Sequence, residues 1–428
     1  MQIDLSGIQM IDTHEHLRPE TERVAQGADA LAILFSHYTS TDLQTAGLSR
    51  RDLAFVRDRT QPLDLRWAIA APYWEWARNT AYGRAIRLAA RELYEIDSIN
   101  QQSIHALAER MQQASVPGLY QRIFRQAGIT YAIVQDIDPG PLPSRMSPPG
   151  LLRPVMKGGP FIWIRNKSEI EQIIEQIGYP PVHSLDDWLG VCEAAFQSKE
   201  PVVAIKLAHA YVASLEAGKP AFREAEAAFN RIVRRRELFG VDESLNWEES
   251  RPLRDYLVHH IIRLAVRYHL PIQIHTGLLE NTFNDIRDAY PLHLIPILLE
   301  YPEAKFVLFH GGYPWLGEFA ALGKAYPNVW LDLSWLWIIS PSAGRELLHR
   351  LIETVPANKV CAFGGDYLFV EGVYAHSRMA RENIARVLAE KIAEGWFSQE
   401  EARQYGYAVL AGNAHGLYSP AEDPPLFI

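Results

Sequence analysis

Two histidines one residue apart raise the first chemical question in this chain. The stretch MIDTHEHL, residues 10–17, carries His14 and His16 just after a short apolar run and beside Asp12. On a β-strand, residues i and i+2 project to the same face, so both imidazoles can aim inward while Glu15 points away. A neutral imidazole nitrogen is a good ligand for zinc, at about 2.0–2.1 Å. The pair alone is equally compatible with two polar residues that end a strand. Partners must come from elsewhere in the sequence.

Several short apolar runs end in residues of the right type. VAIKLAHAY (203–211) carries Lys206, then His209 and Tyr211. IQIHTG (272–277) carries His275, and FVLFHGGYPW (306–315) carries His310. DLSW (332–335) carries Asp332 and Trp335, and AFGGD (362–366) ends in Asp366. Each has a plain structural alternative. Lys206 could serve an ion pair, His275 could be a satisfied core histidine, GGD could be a turn, and Trp335 could be core packing. In combination they suit a metal site. His14, His16, His275 and Asp366 would be ligands, with water activated by the metal and Asp366 placed to take its proton.

Such residues must converge, and the element pattern shows how. Apolar runs at 7–12, 128–138, 151–157, 201–209, 272–277, 304–312, 328–335 and 359–366 alternate with segments of helical periodicity. Nearly all-apolar strands are buried on both faces, as in parallel sheets, and strand–helix alternation implies βαβ units. Eight such strands predict an α/β fold, the (β/α)8 TIM barrel, as one domain over 1–428. Catalytic groups in that fold sit at the C-terminal ends of the strands, where all the candidates lie. Residues 18–127 are too long for a loop and read as a helical insertion on that rim, including FSHYTSTDLQTAGL (35–48). A second insertion at 216–240 contains an arginine run at 234–236, read as a solvated helix face. Beyond residue 375 the chain reads as helices that close the structure.

Composition narrows the function classes. Apolar residues make up 48% and charged residues 22%, as in globular proteins. The net charge of −9 argues against a nucleic-acid binder, which needs a basic face. The two cysteines, Cys192 and Cys361, are expected as separate buried thiols. No segment approaches about 18 uninterrupted apolar residues, so no membrane span is expected. MQIDLSGIQM lacks the basic head and apolar run of a signal peptide, so a cytoplasmic location is expected.

DTHEHL, IQIHTG, FVLFHGGYPW and AFGGD together resemble the amidohydrolase superfamily, in its amidohydrolase-related branch of metal-dependent barrel hydrolases. The resemblance covers residues 7–20 and about 200–428. It implies a divalent metal, most often zinc, on His14, His16, His275 and Asp366. It implies that His310 orients or polarises substrate or binds a second metal, and that Asp366 is the acid–base residue. In binuclear members a lysine at the position of Lys206 is carboxylated and bridges two metals; with one metal, Lys206 could instead bind a substrate carboxylate. His209, Tyr211 and Trp335 are the other candidate substrate contacts. The insertion after the first strand is similar in layout to that of uronate isomerases. The expectation is therefore a hydrolase of a small amide, ester or lactone. The alternatives are a sugar-acid isomerase or a metal-dependent decarboxylase using the same site, and a barrel kept only as a binding module. A small-molecule partner, possibly a carboxylate, and a homo-oligomer are expected.

Overall fold

The computed structural model describes residues 3–143, 150–198, 201–234 and 244–419. Among them, nine short strands run in parallel. They are β1 (Met10–Glu15), β2 (Ile129–Val134), β3 (Leu152–Pro154), β4 (Met156–Lys157), β5 (Ile205–Leu207), β6 (Ile272–Ile274), β7 (Phe306–Leu308), β8 (Val329–Asp332) and β9 (Val360–Cys361). Hydrogen-bonded neighbours follow chain order, β1 to β3 in one sheet and β4 to β9 in the other.

The expected strand at 151–157 is interrupted rather than continuous. Its first half pairs with β2 and its second half with β5. The break falls after Pro154, which has no N–H to give to a ladder. Val155 N still donates to Val134 O at 3.0 Å and Val203 N donates to Pro154 O at 3.1 Å, so the two sheets are continuous through this point. β3 and β4 thus occupy one of eight barrel positions.

The last gap is closed by backbone bonds between β1 and the segment after β9. Thr13 N donates to Phe363 O at 3.2 Å, Asp366 N to His14 O at 2.8 Å and His16 N to Tyr367 O at 3.0 Å. The fold is a TIM barrel. Ile11, Tyr131, Ile133, Val155, Val307, Phe309 and Cys361 form one buried cluster, to which the terminal helix Asn413–Tyr418 adds Ala414, Leu417 and Tyr418.

The helices follow their local signals. Trp247–Arg267 begins earlier than the apolar periodicity at 256–270 suggests, because Asn246 and Glu249 form a reciprocal capping box. The helix Phe222–Arg234 holds the first arginine of the 234–236 run; the rest of that run lies outside the described residues. Cys192 and Cys361 are buried and free. Among the described residues, no helix is long and apolar enough to cross a membrane.

Between β1 and β2 the chain forms eight helices, from Glu20–Gln26 to Leu119–Ala127. One buried ionic contact ties them to the barrel helix Val370–Ala393. Arg23 Nη2 lies 3.0 Å from Glu371 Oε1, and Tyr94 donates its hydroxyl to the same oxygen at 2.8 Å. Arg23 also donates to Ser115 Oγ at 2.7 Å. Both ions are buried, so removing one leaves the other uncompensated. Glu371→Ala is expected to lower unfolding stability by about 3–5 kcal/mol, and Tyr94→Phe by about 1–2 kcal/mol. Urea unfolding midpoints check both; a Glu371→Ala change under about 1 kcal/mol would mean the contact does not anchor the insertion.

Candidate metal centre

β1 extends to Glu15, three residues beyond the run that predicts it, and brings His14 to the barrel mouth with His16 just past its end. Its register with β2 shifts between Asp12 and Glu15. Both imidazoles then turn toward the barrel axis. Their Nε2 atoms approach one carboxylate oxygen, Asp366 Oδ1, at 3.3 Å from His14 and 3.1 Å from His16. The ligand atoms of these three residues all lie within 4.8 Å of one another.

The proton arrangement shows that this trio suits a cation. His16 Nδ1 is 2.9 Å from the Gln135 carbonyl, which can only accept, so Nδ1 carries the hydrogen. In the neutral ring Nε2 is then a bare lone pair pointed at a carboxylate oxygen. Two acceptors at 3.1 Å need a positive charge between them. Burial, reinforced by the Lys206 charge, holds His14 well below the usual histidine range, so it stays neutral. Burial opposes ionisation of Asp366, but the contacts its oxygen makes with His14 and His16, with His310 near by, outweigh it and hold the carboxyl well below its usual range. Two imidazoles and one carboxylate are a donor set for a divalent metal.

Glu15 points away from the two histidines, as strand alternation requires, but it is not idle. Its Oε2 accepts from Tyr367 N at 2.7 Å, while Asp12 Oδ1 accepts from Gly365 N at 3.0 Å and His14 N at 3.2 Å. These buried carboxylates clamp β1 to the GGD turn. A Cβ on Gly365 would stand 1.7 Å from Glu15 Oε1, so only glycine permits this approach. Asp366 itself sits at φ +56°, a left-handed conformation costly for a non-glycine residue.

The other candidates are distributed unevenly. Lys206 Nζ lies 3.4 Å from His14 Nε2 and 3.8 Å above the Phe309 ring. Burial depresses it to about 7, against the pull of Asp366 and Asp332. His275 is not brought into the trio. Its Nε2 donates to Leu278 O at 2.9 Å and its Nδ1 faces His310 Nε2 at 3.0 Å, so the turn after β6 engages the ring expected as a fourth ligand. His310 is fully buried at φ +70°, with Nδ1 3.2 Å from Ser334 Oγ. Tyr211 packs edge-on against His275 at 4.8 Å. Trp335 is buried between His310 and Tyr38, at 5.3 and 4.3 Å between ring centres. His209, expected as a substrate contact, is buried, and the charges that act on it are Arg254 and Asp255. It begins a 3-10 turn, His209–Tyr211, after β5.

Four residues that strand-end reasoning missed also approach the trio. His37 lies 6.3 Å from the His16 ring and is bonded through Nδ1 to the Tyr82 hydroxyl at 3.1 Å. Tyr38 and Tyr82 pack at 5.3 Å. Glu280, in the turn after β6, is half-buried, and burial plus the Asp366 charge push it up to about 7. The signal for the first three was present in FSHYTS and TAYG, where aromatic residues and a histidine fall in an insertion on the catalytic rim.

Fold and site define a TIM-barrel protein with a candidate metal centre at its mouth, and the sequence places it within a family. The chain belongs to the amidohydrolase family, whose model matches residues 183–418. It is 32% identical to the protein fluG of Emericella nidulans over 183 residues, 41% of this chain, and spans about a fifth (21%) of that relative's length. Its fold is similar to a uronate isomerase from Thermotoga maritima, with a TM-score of 0.77 and 15% identity over 96% of this chain and 95% of the other. A glucuronate isomerase from Caulobacter crescentus gives 0.76 and 19% over 98% and 92%. At these identities the likeness concerns the fold alone. Members of the superfamily generally bind divalent metals, in keeping with the His14–His16–Asp366 geometry.

His14→Ala and His16→Ala are each expected to lower metal content, by elemental analysis, from near one equivalent to well below a tenth, with the circular dichroism spectrum unchanged. Full metal retention in either variant would remove that residue from the ligand set.

Proposed function

We propose that the chain is a metal-dependent hydrolase that cleaves an amide, ester or lactone bond of a small molecule. The observation that carries this reading is the character of the rim. Over the His14–His16–Asp366 trio stand Tyr38, Tyr82, Tyr211 and Trp335, and the rim adds the carboxylate of Glu280, with Arg57 within its electrostatic reach. An aromatic, acidic mouth suits a neutral or cationic substrate better than a sugar acid.

The proposed site holds one zinc ion on His14, His16 and Asp366, with His275 completing the set once it releases the Leu278 carbonyl. Zinc supplies Lewis acidity and lowers the pKa of water at the site. The two imidazoles approach Asp366 Oδ1, which leaves Oδ2 to take a proton from water and later return it to the leaving group. His310, neutral and buried, orients the substrate carbonyl; its pKa is held well below the usual histidine range by burial and the neighbouring His275. The helical insertion excludes water with Tyr38 and Tyr82, and Trp335 closes the wall behind them.

A second reading is an isomerase or decarboxylase acting on a carboxylate. Lys206 favours it, as a cation at the base of the pocket 3.4 Å from His14. The same lysine, carboxylated, would serve a binuclear hydrolase; a mass increase of one CO2 on the intact protein would reveal that form.

The zinc-loaded protein is expected to hydrolyse members of a panel of N-acyl compounds and lactones and to leave glucuronate unchanged by NMR. Asp366→Asn is expected to lower kcat by about 10²- to 10⁴-fold with the fold intact. Uronate turnover without any hydrolysis would replace this reading with the second.

A further inference from the structure

The turn that carries Asp366 is held mainly by the strands around it. Phe363 O accepts from Thr13 Oγ1 at 2.9 Å, Gly364 O accepts from Trp335 N at 2.8 Å, and Asp366 N donates to His14 O at 2.8 Å. One further contact comes from the helix that follows, Val370–Ala393. His376 Nδ1 lies 3.0 Å from Gly365 O. A carbonyl only accepts, so Nδ1 carries the hydrogen. The carbonyl of Gly365 and the N–H of Asp366 belong to one planar peptide. That peptide is therefore fixed at both ends, immediately before the bond about which Asp366 takes its φ of +56°.

Packing alone does not account for a histidine at this place. The side chain is fully buried against Phe363 and Tyr367, at 5.1 and 6.2 Å between ring centres. Its Nε2 has no hydrogen-bond partner among the described residues. An aliphatic side chain would fill the space without burying an unpaired polar atom. What histidine adds is one donor, aimed at the peptide from which Asp366 departs. Left-handed backbone at a non-glycine residue persists only where its surroundings over-determine it.

We propose that His376 is a positioning residue for the metal centre. Its bond to Gly365 O holds the Asp366 carboxylate in the orientation in which Oδ1 meets His14 and His16. Without that bond the peptide is held at its N–H alone, and rotation can relax φ and swing the carboxylate off the two imidazoles. This rests on the reading of Asp366 as a metal ligand. Groups behind the ligands set their orientation, and losing one lowers metal affinity by about 10- to 100-fold.

Zinc dissociation constants, measured by competition with a chelator, test it. His376→Leu and His376→Met fill the space without a donor. His376→Asn is smaller and polar, but its Nδ2 can stand in for Nδ1 toward Gly365 O. A positioning role predicts zinc binding about 10- to 100-fold weaker in His376→Leu and His376→Met, with most of the loss recovered in His376→Asn. A packing role predicts the reverse order, because His376→Asn leaves the larger cavity and a further unpaired polar atom. The visible spectrum of the cobalt-loaded protein gives a second readout, expected to change in His376→Leu and to match the parent in His376→Asn. Three results would overturn the proposal: parent-like zinc affinity in His376→Leu or His376→Met with the fold intact by circular dichroism, His376→Asn as weak as those two, or neither of the two folding. Asp366→Ala separates this inference from the reading it rests on. Loss of zinc in Asp366→Ala with none in His376→Leu sinks this inference alone. Parent-like zinc affinity in Asp366→Ala removes the ligand reading and this inference with it.

Discussion

The seam between β1 and the segment after β9 is the constraint on which the rest depends. Three backbone hydrogen bonds at 2.8–3.2 Å close the barrel there, and they also set His14 and His16 opposite Asp366. Closure and ligand placement are thus one event. Behind the seam, Asp12 and Glu15 receive the backbone N–H groups of Gly365 and Tyr367, which fixes the turn from its far side. Burial pushes both carboxyls upward, Asp12 to about 6. The cost of burying them is offset by the donors they satisfy. A turn held this way can keep Asp366 in a left-handed conformation that an unsupported loop would abandon.

The same burial that makes this seam costly sets its electrostatics. Desolvation acts on every titratable group in the mouth, and it moves each type in its own direction. His14, His275 and His310 are kept neutral, as ligands and hydrogen-bond acceptors must be. Lys206 is brought to about 7, where a free amine and an ammonium coexist. Asp366 alone goes against the trend, because two imidazoles converge on one of its oxygens. The site therefore holds one firmly ionised carboxylate among groups driven toward neutrality. That contrast is what a cation-binding residue requires.

Much of this was legible in the sequence, and the parts that were not share a cause. The His-x-His spacing, the all-apolar strands and the position of Asp366 after two glycines are local patterns, and they imply the barrel and its active rim directly. The break at Pro154 was marked by a proline but concealed by its apolar neighbours. The engagement of His275 depends on the Leu278 carbonyl, a turn geometry that residue types do not encode. His37, Tyr38 and Glu280 belong to an insertion and a loop. Their approach to the candidate metal centre is a tertiary event between separate segments of the chain, with no periodicity to announce it.

The insertion has to do more than cover the rim, given how it is held. Arg23 and Tyr94 reach a fully buried glutamate, Glu371, on the helix that follows the Asp366 turn. Glu371 is five residues from Asp366, so the anchor of the insertion and the proposed metal carboxylate share one short segment. His37 and Tyr38, near the start of the insertion, face the centre that this segment carries. A shift of the insertion would load the anchor and the Asp366 turn together. Packed interfaces of this kind resist continuous deformation. The pocket wall over the trio is therefore positioned by the same contacts that hold the ligand, and its aromatic and acidic groups can discriminate substrates without a separate closing motion.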